Sequence, residues 1–571
     1  MDKTYFEELK NQTEYEKAAD FFLDLVRGQI RKEEYLDIVI SASTLAIALK
    51  EQNDVSPVEE INKVLKDETV LRSLKATWER FSREIKEYSE KYTIDDLRGV
   101  VLFTEPRLYS EINVSQTPEG IVNLAIKLLD ISKSDKVLDL GSGGSSFLMQ
   151  ATLESKTKNN YGVELNQSNI VISKLRQYVT QLPIEIISGN MISKDYSHLE
   201  ANKVFSDFPF GMRYRQLEEY MKHNKKLKSY FEESGRTVSG DWVYAMAAYL
   251  NTKQPGRTVF LMSNGGTFNS GDTEFRRHLI EQKVIEGIIQ LPANLLSSTA
   301  IPITMVVLSE NNTDVKMVDA SEIYTSERRK NVLKEKDIQM ILDAYDKKSE
   351  ISRAVTHEEI KNKDYILYNP HYIGLEDIVH GIELDEITSN ISRGSMIKSS
   401  ELDELISDQE TNYRYLMLQN IQDGRIDSNL PPLERIDDKH ERYCINDKNL
   451  IISKNAPFKI ALAHVEEDEK ILANGNLYFL ELDEEKINPT FALAYLQSEK
   501  GQSQLNRLSK GSVMKNISIK DLKKVQIPNL DKKKQDEIAA EYNELNERLI
   551  MLEKQIELVR EKRKNLVEEG I

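Results

Sequence analysis

Between about residues 105 and 310, short runs rich in β-branched residues alternate with stretches of helical spacing. The runs are KVLDL, NYGVEL, IEIIS, KVFSDF, RTVFLMS, EGIIQL and ITMVVL. Strands that alternate with helices form a mostly parallel sheet covered by helices on both faces. The pattern therefore predicts an open α/β sheet, in which ligands bind beyond the carboxyl ends of the strands.

The 571 residues exceed what one hydrophobic core can hold, so we expect several domains. Outside the α/β region, the first hundred residues have helical spacing without strand alternation, and a later stretch contains short strands with turn signals such as Asp423-Gly424 and Asn474-Gly475. The predicted segments are a helical domain (1–104), the α/β domain (105–345), a charged connector (346–390), a mixed domain (391–530) and a terminal helix (531–571).

Apolar residues recur with a seven-residue period in the terminal segment. Ile538, Leu545, Leu552, Val559 and Leu566 are seven residues apart, and further apolar or aromatic residues follow the first three of them by four positions: Tyr542, Leu549 and Ile556. This spacing predicts a coiled-coil seam. The alternative is one amphipathic helix packed against its own domain.

The net charge of -17 counts against nucleic-acid binding, because phosphate contacts are made by Lys and Arg. A chain of this size can still carry a local basic cleft. Three basic runs are candidates, although each is also what a solvated surface contains. They are Arg276-Arg277, Arg328-Arg329-Lys330 and Lys532-Lys533-Lys534.

Several features indicate a cytoplasmic location. The polar N-terminus lacks the basic start and apolar core of a secretory signal, and no apolar stretch is long enough for a membrane span. Cys444 is the sole cysteine, which excludes an intramolecular disulfide and a cysteine-rich zinc site. No metal site is predicted.

The first candidate site follows the KVLDL run. The sequence Asp139-Leu140-Gly141-Ser142-Gly143 places a glycine-rich turn between a strand and a helix, where backbone amides can approach a ligand closely. About 20 residues later, Glu164 ends the next strand, at the spacing of a carboxylate that binds ribose hydroxyls. Asn190 follows the third strand, where it could bind an adenine ring. These features converge on one crevice.

The fourth strand runs into Asp207-Phe208-Pro209-Phe210, and here the sequence resembles a known family. A strand ending in (Asp/Asn/Ser)-Pro-Pro-(Tyr/Phe/Trp) is the signature of methyltransferases that act on exocyclic amines. The resemblance implies that the first side chain and the following carbonyl accept hydrogen bonds from the target amine, and that the aromatic residue stacks on a flipped base. Phe208 departs from the pattern, so proline no longer fixes φ there.

Further motifs narrow the resemblance to the modification (M) subunits of type I restriction-modification systems, over about residues 105–375. Thr117-Pro118 is similar to the segment that closes over the methionine end of S-adenosylmethionine, and Asp139, Gly143 and Phe147 fit the glycine-rich motif of those subunits. The resemblance implies a multidomain α/β protein with a Rossmann-like class I methyltransferase domain, and an enzyme that methylates N6 of adenine in duplex DNA. The amine of cytosine remains open as the target.

The C-terminal segments resemble half of a type I specificity (S) subunit, with one target-recognition domain and one spacer helix. The resemblance implies DNA contacts by Lys454, Lys510, Ser512 and Lys515. Because S subunits carry two recognition domains, it also implies that two copies of this chain pair through the terminal helix, with a separate restriction or specificity subunit as a further partner.

Two alternatives stay open at this point. Methyltransferases that modify glutamine side chains share the catalytic motif but are much shorter. A DNA-binding or assembly subunit that has lost catalysis is favoured by Phe208. The sequence contains neither a nuclease constellation in its N-terminal region nor a helicase P-loop.

Overall fold

The computed structural model of the chain describes residues 1–51, 56–104, 116–235, 237–296, 299–328, 330–373, 381–509 and 515–565. The chain forms two compact units, Met1–Gly374 and Leu375–Ile571. Among the described helices, none combines the length and the apolar character needed to cross a membrane.

The first unit begins with helices, as the sequence predicts. They are α1 (Lys3–Gln12), α2 (Tyr15–Leu25), α3 (Tyr35–Glu51), α4 (Pro57–Leu65), α5 (Glu68–Lys91) and α6 (Ile94–Phe103). α3 is the central one, since every residue from Ile38 to Ala48 is buried. Thr93 caps α6 by accepting a hydrogen bond from the amide of Asp96. These helices form a core rather than an extended arm.

A nine-stranded sheet follows, in the order β11-β8-β6-β7-β5-β4-β1-β2-β3. The five neighbours from β3 to β5 are parallel, β7 is antiparallel to both β5 and β6, and the edge strand β11 is antiparallel to β8. Its strands are β1 (Lys136–Leu140), β2 (Asn159–Glu164), β3 (Ile184–Ser188), β4 (Lys203–Ser206), β5 (Arg257–Ser263), β6 (Ile285–Gln290), β7 (Ile303–Leu308), β8 (Asp314–Asp319) and β11 (Ser352–Thr356); β9 (Thr325–Glu327) and β10 (Lys330–Val332) form a separate hairpin.

Helices cover both faces of this sheet. Successive strand residues enter different cores: Val137 and Phe205 pack in one, and their neighbours Leu138 and Val204 pack in the other. This alternation is what a sheet buried on both faces requires. The helices are α7 (Glu119–Leu129), α8 (Ser146–Ser155), α9 (Gln167–Thr180), α10 (Tyr214–Met221), α11 (Lys225–Ser234), α12 (Asp241–Leu250), α13 (Gly265–Phe268), α14 (Thr273–Glu281), α15 (Glu335–Asp346) and α16 (His357–Asn362).

The N-terminal helices share a core with the sheet domain. Val171, Ile172 and Leu175 of α9 are buried in the same cluster as the apolar residues of α2, α3, α5 and α6. The predicted boundary at residue 104 therefore separates two kinds of secondary structure but not two independent cores.

The predicted connector at 346–390 is wrong in its first part. Residues 352–356 form the edge strand β11, paired with β8. The Asn369 side chain donates hydrogen bonds to the carbonyls of Ile288 and Val318, which fixes the following turn against the sheet. The sequence is charged here because an edge strand keeps one side in water.

The second unit is a mixed domain of short strands and helices. A four-stranded sheet has the order β13-β21-β18-β19 and a three-stranded sheet has the order β14-β20-β17. Asp423-Gly424 turns between β15 and β16, as the sequence predicts. The elements are β12 (Gly381–Glu383), α17 (Leu384–Ile387), β13 (Thr388–Arg393), α18 (Ser399–Asp403), β14 (Tyr413–Leu416), β15 (Ile421–Gln422), β16 (Arg425–Ile426), α19 (Asp438–Glu441), β17 (Cys444–Ile445), β18 (Leu450–Ser453), β19 (Ile460–Leu462), β20 (Lys470–Ala473), β21 (Leu477–Leu482), α20 (Pro489–Gln497), α21 (Glu499–Leu508), α22 (Ile519–Leu522), β22 (Gln526–Pro528) and α23 (Lys532–Asn565).

The terminal helix α23 changes character along its length. Its first turns pack on the second unit through Ile538, Ala539 and Tyr542. Beyond them, the apolar residues of the predicted seam are between 47% and 65% exposed: Leu545, Leu549, Leu552, Ile556 and Val559. Leu566 lies outside the described residues. The alternative of a helix packed along its whole length on its own domain is therefore excluded for residues 545–559.

Candidate active site

Three strands bring the predicted site residues to one edge of the sheet. β1 lies between β2 and β4, and the three run parallel. The glycine-rich turn follows β1, Glu164 ends β2, and Asp207 follows β4. The carboxyl ends of three adjacent parallel strands thus place these residues together, as the sequence predicts.

Glu164 holds the glycine-rich turn in shape. Its carboxylate accepts hydrogen bonds from the amides of Gly143 (2.8 Å), Leu165 (2.8 Å) and Asn166 (2.7 Å). Gly141 and Gly143 have φ angles of +87° and +51°, which a residue with a Cβ adopts only under strain. A Cβ on Gly143 would meet no atom within 4 Å, so the backbone there faces open space.

That open space is a narrow cleft. Thr117, Asp139, Gly141, Gly143 and Asp207 line it, and all five are predicted site residues. The remaining lining residues come from α3, the segment before α7, the glycine-rich turn, α8, α9 and β4: Leu36, Gln116, Ser142, Gly144, Ser146, Phe147, Asn169, Ile172, Arg176 and Phe205.

Asp139 and Asp207 line the cleft, and neither forms an ion pair within the part of the chain that the structure describes. Asp139 is 3% exposed, and no described residue donates a hydrogen bond to its Oδ1. Burial, reinforced by the negative charges of Asp207 and Glu164, raises the pKa of Asp139 well above its usual value. Ser142 Oγ is buried beside it, also without a partner in the described part of the chain. These groups fit a ligand that brings positive charge and hydrogen-bond donors.

Asp207 is held by Thr117. The Thr117 hydroxyl donates a 2.6 Å hydrogen bond to Asp207 Oδ2, which joins the segment before α7 to the end of β4. Burial raises the pKa of Asp207 to about 6, and the bond from Thr117 opposes that rise. Pro118 does not line the cleft; it is the N-cap of α7 and sets the chain direction after Thr117.

The three residues that follow Asp207 in the predicted catalytic turn, Phe208-Pro209-Phe210, differ in their burial. Phe208 is 2% exposed and stacks on Tyr244 at 5.0 Å between ring centroids and 15° between planes. Pro209 is exposed, and Phe210 is partly buried with its ring edge toward Phe208. Packing by an aromatic ring thus holds position 208, where the amine methyltransferases have a proline ring.

The lining residues that the sequence did not predict include Arg176 and Leu36. Arg176 is 2% exposed and donates to the carbonyls of Val101 and Gly144, at 3.0 and 2.8 Å. It therefore links α6 to the glycine-rich turn. Leu36, from α3, places the helical region at the rim of the cleft. Neither residue belongs to a motif, because each reaches the cleft through tertiary packing.

Other predicted residues lie elsewhere. The Asn190 side chain accepts hydrogen bonds from the amides of Ile192 and Ser193 and does not line the cleft. Arg276 is fully buried, with its guanidinium bound to carbonyls, so it belongs neither to a basic surface nor to a solvated one. That expectation was wrong, because the run Arg276-Arg277 spans both sides of α14.

In the second unit, the two described residues with predicted DNA contacts come from neighbouring segments. The Ile517 amide donates to the Lys454 carbonyl, and the Ala456 amide donates to the Lys515 carbonyl. Lys510 and Ser512 lie outside the described residues. The structure thus brings the Lys454 and Lys515 segments side by side.

Comparison with known proteins bears on the same part of the chain. Residues 114–380 match the N-6 DNA methylase family. The chain is 25% identical over 341 residues to a type I restriction enzyme methylase subunit, MjaVII, of Methanocaldococcus jannaschii, covering 55% of this chain and 58% of that one. It is 23% identical over 340 residues to the MpnII methylase subunit of Mycoplasma pneumoniae, covering 54% and 60%. The matches thus span less than two thirds of these relatives.

The fold is also similar to that of a known protein. A crystal structure of the type I restriction-modification methyltransferase subunit from Streptococcus thermophilus superposes with a TM-score of 0.52 at 17% identity, over 63% of this chain and 98% of that one. The N-6 methylase match spans every predicted catalytic and cofactor residue. The predicted resemblance to adenine-directed methylase subunits of restriction-modification systems is thereby confirmed for this region.

Proposed function

We propose that this chain is a DNA methyltransferase that transfers a methyl group from S-adenosylmethionine to N6 of adenine in duplex DNA, as the modification component of a cytoplasmic restriction-modification system. The observation that carries the proposal is the meeting of Asp207, Asp139 and the glycine-rich turn in one cleft, inside the segment that matches the N-6 DNA methylases.

The cleft residues suit the positive charge and the hydroxyl groups of this cofactor. Asp139 and Ser142 offer buried acceptors without partners among the described residues. Glu164 does not line the cleft but holds the glycine-rich turn beside it. It uses three acceptor positions on backbone amides, and an ionised carboxylate has about four, so one is left for a ribose hydroxyl. When bound, S-adenosylmethionine supplies an electrophilic methyl group on a positively charged sulfur.

Asp207 acts on the other reactant. Its ionised carboxylate accepts a hydrogen bond from the target amine, which orients the nitrogen lone pair for attack. The same charge stabilises the positive charge that develops on the nitrogen as the new bond forms. Thr117 fixes the carboxylate in place, and the partly buried ring of Phe210 is the stacking surface for the flipped base.

The second unit is proposed to find the DNA site, with the Lys454 and Lys515 segments in contact with the duplex. Two copies are proposed to pair through the exposed seam of α23, because five large apolar side chains at heptad spacing are 47% to 65% exposed there. Two DNA-recognition domains related by a two-fold axis recognise a palindromic sequence whose halves are separated by a spacer. Each half of the site would then hold one methylated base.

The test uses the full-length protein, labelled S-adenosylmethionine and fragmented unmethylated genomic DNA. We expect label on N6-methyladenine after nucleoside analysis, and sequencing should place it in a split palindrome. Asp207→Ala should abolish transfer while the affinity for S-adenosylmethionine changes little. Asp195→Ala is the control, because this exposed carboxylate follows β3 outside the cleft.

Each other outcome points to a different protein. Label on N4-methylcytosine would retain the chemistry and change the base. Sequence-specific DNA binding without transfer by the wild type would favour the silent assembly subunit that Phe208 suggests. Full activity of Asp207→Ala would overturn the assignment of the site.

A further inference from the structure

Between the predicted catalytic turn (residues 207–210) and α12, residues 212–240 form an inserted segment, called the excursion below. Its two ends are hydrogen-bonded to each other. The Gly240 amide donates to the Met212 carbonyl (2.8 Å), and the Tyr214 amide donates to the Val238 carbonyl (3.1 Å). Asp272 accepts hydrogen bonds from the amides of Val238 and Ser239, which fixes the returning strand of the excursion. The start of α10 is therefore held beside the catalytic turn.

This excursion is basic in a chain that is acidic overall. Residues 213–235 carry six exposed Lys or Arg and four Glu, against a net charge of -17 for the whole chain. The six are Arg213, Arg215, Lys222, Lys225, Lys226 and Lys228. Such a reversal of charge beside a reactive site is the expected electrostatic footprint of a polyanion.

Within the excursion, two lysines are in ion pairs, whereas Lys225 and Lys226 form none with any residue that the structure describes. Lys222 pairs with Glu219 and Lys228 pairs with Glu232. Arg213 and Arg215 form no ion pair with any residue that the structure describes, and they occupy the N-cap and first turn of α10. A cation at a helix N-terminus opposes the helix dipole by roughly 0.3–1 kcal/mol. Their positions thus do not serve the stability of the helix.

We propose that Arg213 and Arg215 bind backbone phosphates of duplex DNA next to the flipped base. The inference rests on the proposed function. Arg213 follows Phe210 by three residues, so their Cα atoms are at most about 11 Å apart, and the long, exposed Arg213 side chain can extend toward a nucleotide that stacks on that ring. Arginine binds phosphate through two parallel hydrogen bonds. The contacts would hold the opened backbone in register while Asp207 engages the base.

The experiment compares two double variants with the same change of charge. Arg213→Gln/Arg215→Gln removes the unpaired arginines, and Lys222→Gln/Lys228→Gln removes paired lysines of the same excursion. DNA affinity is measured by fluorescence anisotropy between about 50 and 300 mM salt. For the arginine variant we expect binding at least tenfold weaker near 0.1 M salt, and a log–log salt slope reduced by about 2, since each phosphate contact contributes about 0.9. The lysine variant should keep the wild-type slope.

Further measurements separate this role from misfolding. S-adenosylmethionine affinity should match the wild type, and Arg213→Lys/Arg215→Lys should restore most of the salt slope. An unchanged slope in the arginine variant, or an equal loss in both glutamine variants, overturns the inference while wild-type methylation still supports the proposed function. A wild type that neither binds nor methylates DNA overturns the proposed function and this inference with it.

Discussion

The cofactor cleft and the terminal helix leave opposite kinds of side chain without a partner. The cleft buries Asp139 with an acceptor that no described residue satisfies, whereas α23 exposes leucines from Leu545 onward. Burial of an unpaired carboxylate and exposure of a continuous apolar face both cost free energy. The proposed function accounts for both costs in the same way, because a bound cofactor cation would satisfy the first region and the apolar surface of a second copy would cover the other.

The largest expected effect comes from disrupting the exposed apolar seam of α23. Leu549→Glu/Ile556→Glu places charges on the seam and should convert the proposed dimer to monomers. Four side chains change in two copies, and each contributes roughly 1.5–3 kcal/mol when buried, so association should weaken by several orders of magnitude. Sedimentation velocity measures the change.

The control for that experiment is Glu547→Gln/Lys554→Gln, on the opposite face of α23, which should leave the dimer intact. Wild-type protein that stays monomeric at high concentration and on DNA would show that another partner covers the seam.

The next largest effect concerns Asp139, the buried carboxylate of the cleft. Asp139→Asn should weaken S-adenosylmethionine binding by at least about 100-fold, since charged hydrogen bonds to a buried ligand are lost. The same change should raise the melting temperature of the ligand-free protein, because it removes a buried carboxylate that repels Asp207 and Glu164. Calorimetry of binding and of unfolding measures the two quantities.

Asp135→Asn is the matched control at the start of β1. This carboxylate accepts hydrogen bonds from Ser132 and Asn202, and these bonds lower its pKa against the effect of its partial burial. Its loss should destabilise the protein and spare cofactor affinity. If Asp139→Asn also lowers the melting temperature, repulsion between the carboxylates does not destabilise the ligand-free protein.

The smallest effect is a pH dependence at Asp207. Burial raises its pKa from 3.8 to about 6, so the folded protein holds this proton more tightly than the unfolded chain. The resulting stabilisation is complete below pH 3.8 and is lost as pH rises through 6. It amounts to at most about 3 kcal/mol, at about 1.4 kcal/mol per pKa unit. The difference between wild type and Asp207→Asn, measured by denaturant titration from pH 4 to 7, should follow that curve.

The same titration has a catalytic counterpart. An ionised Asp207 is needed to accept the amine hydrogen, so kcat/KM should fall as pH drops through 6. A flat profile between pH 5 and 7 would mean that the carboxylate is held ionised by groups beyond Thr117.

Seven strands of the sheet could be predicted, because buried strands give apolar runs. The glycine-rich turn and Glu164 could be placed at one edge, because the ends of neighbouring parallel strands converge, whereas Asn190, predicted for the same crevice, does not line the cleft. β8 and β11 were missed because they lie toward and at the sheet edge, where charged residues interrupt the apolar pattern.

The remaining differences arise from tertiary contacts that no local pattern encodes. Glu164, at the end of β2, accepts a hydrogen bond from the amide of Gly143, in the turn that follows the neighbouring strand β1. Phe208 finds its stacking partner, Tyr244, on a helix 36 positions later. Arg276 and Arg277 look alike in sequence, yet the guanidinium of Arg276 donates to buried carbonyls whereas that of Arg277 pairs with Glu274.

The position of Arg176 limits how this architecture can be rearranged. Its guanidinium is bound at once to the end of α6 and to the turn that shapes the cleft. Removal of the first 104 residues would strip the apolar side of α9 and leave a buried cation without Val101. The helical region is therefore not a detachable module: it cannot be lost or exchanged without rebuilding the cofactor cleft itself.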